Sequence, residues 1–248
     1  MNLTSGLRTL LLTSAAMVLF DGSTFSQIPG LAWASVTSGD DGSASGATIA
    51  TDASGNVYTT GFFDGTIDFD PGEGTFELEA NDNDGFVSKI DANGNFVWAI
   101  QFGAGEFDAG TSVAVDAAGN ILVGGYFSET VDFDPGAGNF EITAFGEIDG
   151  VILKLTPGGN FIFAKQIGGV GEDYISGVRT DQSNNIYIAG TFVDGVDFDP
   201  NATVFELTSN GWSDAFVTKL HADGNFQWAE RFGGDGEDPD AGQSLAID

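Results

Sequence analysis

Apolar residues in this chain fall into short runs, each closed by a cluster of Gly, Asn and Asp. Within a run the alternation has a period of two. Phe86, Ser88 and Ile90 share one side while Val87 and Lys89 share the other. Further along, Val151, Leu153 and Leu155 oppose Ile152 and Lys154 in the same way. That period belongs to β-strands, and apolar groups on both sides predict sheets covered on both faces. The Gly/Asn clusters are hairpin turns.

The runs repeat. Trp33, Trp98, Phe163 and Trp228 stand 65 residues apart, each followed by Ala, and Lys89, Lys154 and Lys219 keep the same spacing. Asp52, Asp116 and Asp181 precede turns containing Asn56, Asn120 and Asn185, and the tetrapeptide DFDP begins at Asp68, Asp132 and Asp197. A repeat of this length signals stacked supersecondary units. Each unit reads as four strands; in the second they are predicted at 112–115, 121–127, 150–155 and 161–167, with a small edge strand near 140–143. The expected fold is all-β and β-propeller-like, with three complete four-stranded blades and an orphan strand at each end, so that the ring is incomplete. The units run approximately 39–103, 104–168 and 169–233, with a partial one at 234–248. Residues 31–38 read as a lone fourth strand and 244–248 as the start of a first strand. This pattern is expected of a fragment of a longer protein. Oligomerisation that closes the ring is the alternative, because open strand edges invite self-association.

The string GEDYISGVRTDQSNNIYIAG at 171–190, followed by DAFVTKLHADGNFQWAERFGG at 214–234, resembles the SBBP-type bacterial β-propeller repeats. The resemblance extends over roughly 31–248. It implies a secreted or cell-surface propeller, in a family mostly without known biochemical function. The DFDP insertion departs from the family pattern, and the seven blades of the family name exceed what this chain supplies.

Charge narrows the partners. With 37 acidic and 7 basic residues, the formal net charge is -30. Such a surface repels nucleic acid and anionic lipid and attracts cations. Cysteine is absent, which excludes disulfides and thiolate catalysis. At the N-terminus, Arg8 precedes an apolar run over 9–20, and Thr24 and Ser26 are small residues placed for cleavage before Gln27. Residues 1–26 are therefore expected to be a signal peptide, making the mature chain secreted, extracellular or in the cell envelope, without membrane insertion. A buried N-terminal helix is the other reading of that run.

The DFDP loops are the first candidate chemistry. In an extended segment Asp68 and Asp70 project to one side, as do Asp132 with Asp134 and Asp197 with Asp199. Paired carboxylates and loop carbonyls are calcium ligands. The same residues also build a turn, with Asp capping the backbone, Pro fixing φ, and Gly72, Gly136 or Asn201 accepting positive φ. A second acidic series comprises Glu106 with Asp108, Glu172 with Asp173, and Glu237 with Asp238. Residues 168–176 match a calcium β-roll nonapeptide only once, and the 65-residue period assigns that match to coincidence. The lysines are expected to pair with Asp84, Asp149 and Asp214 or with the DFDP carboxylates, because a covered charge needs a partner. His221 occupies a turn position that also accepts Asp and Thr. The Trp series is expected to pack the core, although aromatic rings could also line a sugar-binding surface.

Every notable residue recurs in each unit, whereas an active site needs one distinct set of groups. The expected function is a non-enzymatic scaffold, adhesion or ligand-binding module for an extracellular protein or glycan, with calcium as the one candidate cofactor. The alternative is a secreted hydrolase or lyase acting on polysaccharide through paired carboxylates.

Overall fold

In the computed structural model, residues 42–105, 107–201, 203–236 and 238–247 are described. The predicted signal segment and the lone strand at 31–38 lie outside them. The described chain is all-β. Blade one contains β1 (Ala44–Thr51), β2 (Val57–Asp68), β3 (Glu77–Ile90) and β4 (Phe96–Phe102). Blade two contains β5 (Ala109–Val115), β6 (Ile121–Phe127), β7 (Thr130–Asp132), β8 (Glu141–Thr143), β9 (Asp149–Leu155) and β10 (Phe161–Gly169). Blade three contains β11 (Tyr174–Thr180), β12 (Ile186–Phe192), β13 (Gly195–Asp197), β14 (Glu206–Thr208), β15 (Asp214–Leu220) and β16 (Phe226–Phe232). Each blade is an antiparallel meander, ordered β1-β2-β3-β4, β5-β6-β9-β10 and β11-β12-β15-β16. This is a β-propeller-like repeat, and the strands predicted for the second unit match to within a few residues at each end.

The turns form as their residues dictate. Asp116 accepts the amides of Ala118 and Asn120 on Oδ1 and the Asn120 side chain on Oδ2. Gly119 takes φ 85° and Gly55 takes 80°; in the third blade Asn184 fills the slot at 63°. Asn is the non-glycine residue best suited to that region. The DFDP segment is the tip of a ribbon that extends the second and third strands. In blade one the ribbon is continuous with β2 and β3. It breaks in the other two blades at Glu129 (φ 57°) and Asp194 (φ 61°), where blade one has Gly65. Beyond the break, β13 pairs with β10 of the preceding blade through Gly168↔Asp197 and Gly169↔Val196. A Cβ on Gly169 would stand 2.2 Å from the Gly195 carbonyl, so this approach requires glycine.

The core consists of layers between blades. Ile121, Val123, Val151, Leu153 and Leu155 pack with Tyr58, Val87 and Phe102 of blade one. Their sequence neighbours Leu122 and Ile152 pack with Ile175, Val178 and Ile188 of blade three. Alternate residues of one strand thus serve two different cores. The first strands lie side by side: Val113 N donates to Thr48 Oγ1 at 3.0 Å and Val178 N to Ser112 Oγ at 3.1 Å. The Trp series seals these layers, since Trp98 Nε1 donates to Pro157 O at 3.3 Å and Phe163 lies against Gly224 of the next blade. Trp228, for which no later turn is described, is 38% exposed.

Three expectations need correction. Gly72, Gly136 and Asn201 do not take positive φ, because the preceding Asp side chains cap their amides without it. Residues 244–247 form no strand. They lie beside β11, with Leu245 N close to Gly177. The lysines, moreover, do not pair with Asp84, Asp149 and Asp214. Lys154 Nζ contacts Asp116 Oδ2 at 3.0 Å and Lys219 Nζ contacts Asp181 Oδ2 at 3.8 Å. Lys89 Nζ donates to Pro157 O, and Lys154 Nζ to Ala222 O, both at 2.9 Å and both in the following blade. The reason is strand geometry. Asp84 and Lys89 differ by an odd number of positions, so they face opposite ways, and they lie roughly 16 Å apart along the strand.

The Lys154–Asp116 pair is buried, and removing one partner strands the other charge away from water. Lys154→Ala is expected to lower unfolding stability by about 3 kcal/mol in urea titrations. Lys219→Ala, whose pair is looser and wetter, is expected to cost less than about 1 kcal/mol.

Candidate functional site

In every DFDP tip the first Asp holds the loop shut. Asp68 Oδ1 accepts the amides of Asp70 (3.0 Å) and Phe76 (2.8 Å). Asp132 does the same for Asp134 and Phe140, and Asp197 for Asp199 and Phe205. The second Asp caps two residues on: Asp70 to Gly72, Asp134 to Gly136 and Asp199 to Asn201. The Phe between them points the other way and is buried. Phe69, Phe133 and Phe198 meet Phe63, Phe127 and Phe192 edge-on, with centroids 5.4, 5.2 and 5.2 Å apart. Burying such a ring contributes about 1.5–3 kcal/mol. The tip is therefore an anchored turn. Among the described residues no three acidic or His side chains converge as a metal cluster.

The second acidic series is structural, and its third member differs from the one expected. Asp108 Oδ2 accepts the Ala104 amide, Asp173 Oδ2 that of Gly169, and Asp240 Oδ2 that of Gly234. Asp240, rather than Asp238, is the counterpart, because two extra residues lengthen the last loop. His221 sits in a turn, with Nδ1 at 2.8 Å from Gln227 Nε2.

A cleft of about 700 Å³ opens where the loops of blades two and three meet. Phe107, Tyr126 and Tyr174 supply its rings, and Glu129, Glu147 and Glu172 its charge. Tyr126 and Tyr174 stack edge-to-face at 5.2 Å, and Tyr174 Oη donates to Glu172 Oε2 at 2.9 Å. Burial raises the phenol pKa of both. Glu172 pushes Tyr174 further, and Asp108 does so for Tyr126. Glu147 and Glu172 also border a neighbouring hollow of about 430 Å³ that contains Trp212. Phe107 is 54% exposed and Trp212 69%.

This cleft breaks the repeat. Tyr126 stands where the other blades carry Phe62 and Thr191, and Tyr174 where blade two carries Ala109. The expectation that nothing distinctive belongs to one junction therefore fails. A search for departures from the repeat, rather than for the repeat itself, would have found these tyrosines. Chemically, the cleft offers π faces beside carboxylates, the combination that attracts ammonium and guanidinium groups.

No protein-family model matches the chain. Over 155 residues, 58% of the chain, it is 27% identical to an uncharacterised WD repeat-containing protein of Acanthamoeba polyphaga mimivirus. The match spans 11% of that protein's length. WD repeats are propeller blades of four strands, in agreement with the meanders above.

Buried carboxylates give the fold a pH optimum. Burial, with Asp108 and Asp82 adding repulsion against Gln101 and the Asn81 amide, pushes Asp84 up to about 6. Burial, with Asp149 and Asp194, pushes Asp173 up to about 7, against the amides of Val193 and Gly169. A carboxyl whose native pKa lies above its unfolded value contributes stability at low pH and loses it as pH rises through the native value. Asp116 runs the other way: burial opposes ionisation, but Asn120 and Lys154 hold its pKa low. Its contribution is lost as the pH falls below the ordinary value of 3.8. Thermal melts in EDTA are expected to show a maximum Tm at about pH 4 and a fall that is complete by about pH 7, and Asp173→Asn should flatten that fall. A Tm that climbs steadily from pH 5 to 8 would contradict this account.

Proposed function

We infer that the chain is a non-enzymatic interaction module, secreted or held at the cell surface, that captures an extracellular protein through a basic segment. The Tyr126–Tyr174 pair flanked by Glu147 and Glu172 carries this reading, as the place where a repetitive fold gains unrepeated, recognition-grade side chains. Aromatic rings dominate binding energy at interfaces, and a negative field steers cationic partners. The WD repeat-containing relative supports the propeller scaffold, the turn and strand strings support an SBBP-type repeat, and the N-terminal sequence supports secretion.

Isothermal titration with basic, neutral and acidic peptides of equal length tests the idea. Binding should be confined to the basic peptide and weaken as salt rises. Tyr126→Ala and Tyr174→Ala should each lower affinity by about tenfold. Phe62→Ala, at the matching position of blade one, should leave it unchanged. Equal binding of all peptides, or indifference to the tyrosine substitutions, would overturn the assignment. Binding of a neutral polysaccharide that Tyr174→Ala abolishes would give the cleft to a glycan instead.

A further inference from the structure

The hollow beside the tyrosine cleft is apolar because three positions depart from the repeat at once. Trp212 stands where blade one has Asp82 and blade two has Glu147. Val193 stands where blade two has Ser128, and Val170 where it has Gly105. All three line one space of about 430 Å³. Val170 is 74% exposed and Trp212 69%. Blade two builds the matching loops with a carboxylate, a hydroxyl and bare backbone at these places, so the fold itself does not call for the apolar groups.

The hollow is held in shape. Gly171 lies against Val193, where a Cβ would stand 2.7 Å from the Val193 Cβ. Trp212 follows Gly211, which takes φ 69°, and precedes the buried Ser213 and Asp214. Asp214 Oδ2 accepts the Asn210 amide at 3.1 Å, and Ser213 O accepts that of Asp240 at 3.2 Å. The indole is therefore held out to solvent by a loop anchored on both sides of it. Exposed apolar surface rimmed by charge marks a docking site, and Trp is enriched among the residues that dominate interfaces.

Hollow and cleft share a wall, since Glu147 and Glu172 line both. Their backbones are joined: Ile148 bridges to Glu172, and the Asp173 amide donates to Ile148 O at 2.9 Å. The Tyr174 hydroxyl fixes the Glu172 carboxylate at 2.9 Å. A cation drawn to this wall has tyrosine rings on one side and the apolar hollow on the other.

We propose that the hollow is a second subsite, which takes a large apolar side chain lying beside the basic residue in the cleft. The partner segment presents both side chains to one surface. In an extended backbone such side chains stand two positions apart. The subsite rests on the reading of the cleft as a site for a basic segment, and it specifies which basic segments are selected: charge draws the segment in, and burial of the apolar neighbour discriminates.

The test is isothermal titration of the full chain with two basic peptides, identical except that Leu or Ser stands two positions to either side of a central Arg. The Leu peptide should bind about tenfold more tightly. Trp212→Ala should erase that gain while leaving both the affinity for the Ser peptide and the Tm as they were. Val170→Ser, an independent change in the same hollow, should shrink the gain. Tyr174→Ala should weaken both peptides alike. Equal binding of the two peptides, or a gain that survives Trp212→Ala, would overturn the subsite and leave the cleft to its basic segment. If neither peptide binds, the reading of the cleft fails and the subsite fails with it.

Discussion

The whole arrangement depends on sheets that carry apolar residues on both faces. Neither face of the second sheet is left to water, and it lies between the other two. In β6, Ile121 and Val123 belong to the layer shared with blade one while Leu122 belongs to the layer shared with blade three. β9 divides in the same way, with Val151 and Leu153 on one side and Ile152 on the other. No blade can be removed without exposing its neighbours, and the length of the repeat follows from the four strands needed to make one such slab.

Polar groups then lock the slabs in register. Lys89 and Lys154 reach across to carbonyls of the following blade, and Trp98 and Phe163 lie over that blade's turn. The DFDP tips do a related job. Their Phe anchors the ribbon in its own blade, and in blade three the ribbon is carried back to pair with β10. The aspartates on either side of that Phe are engaged by backbone amides, the chemistry of a closed turn. The acidic surface and the buried acidic pairs are thus separate matters: one is solvated charge, the other is charge the fold must neutralise.

The cleft arises where the repeat is imperfect. The cleft exists because Tyr126 and Tyr174 replace smaller or plainer residues at positions that face each other across one junction. Inside the molecule, Gln101 and Gln166 contact Asp84 and Asp149 where blade three sets Arg231 against Asp214, a departure of the same kind. A repeat protein acquires specificity in this manner, by changing single positions on a scaffold whose packing stays constant.

The sequence by itself determined the strands, their hairpin turns, the three blades and the burial of both sheet faces. These follow from short-range rules, a two-residue alternation and the φ demands of Gly and Asn, which operate among residues near one another in the chain. It also contained the opposite facing of Asp84 and Lys89, since an odd separation along a strand fixes that. Only the tertiary structure decided which blade each lysine contacts, that Asp240 rather than Asp238 closes the last junction, and that Tyr126 meets Tyr174. Such contacts join residues tens of positions apart, and their geometry is set by how one slab lies on the next.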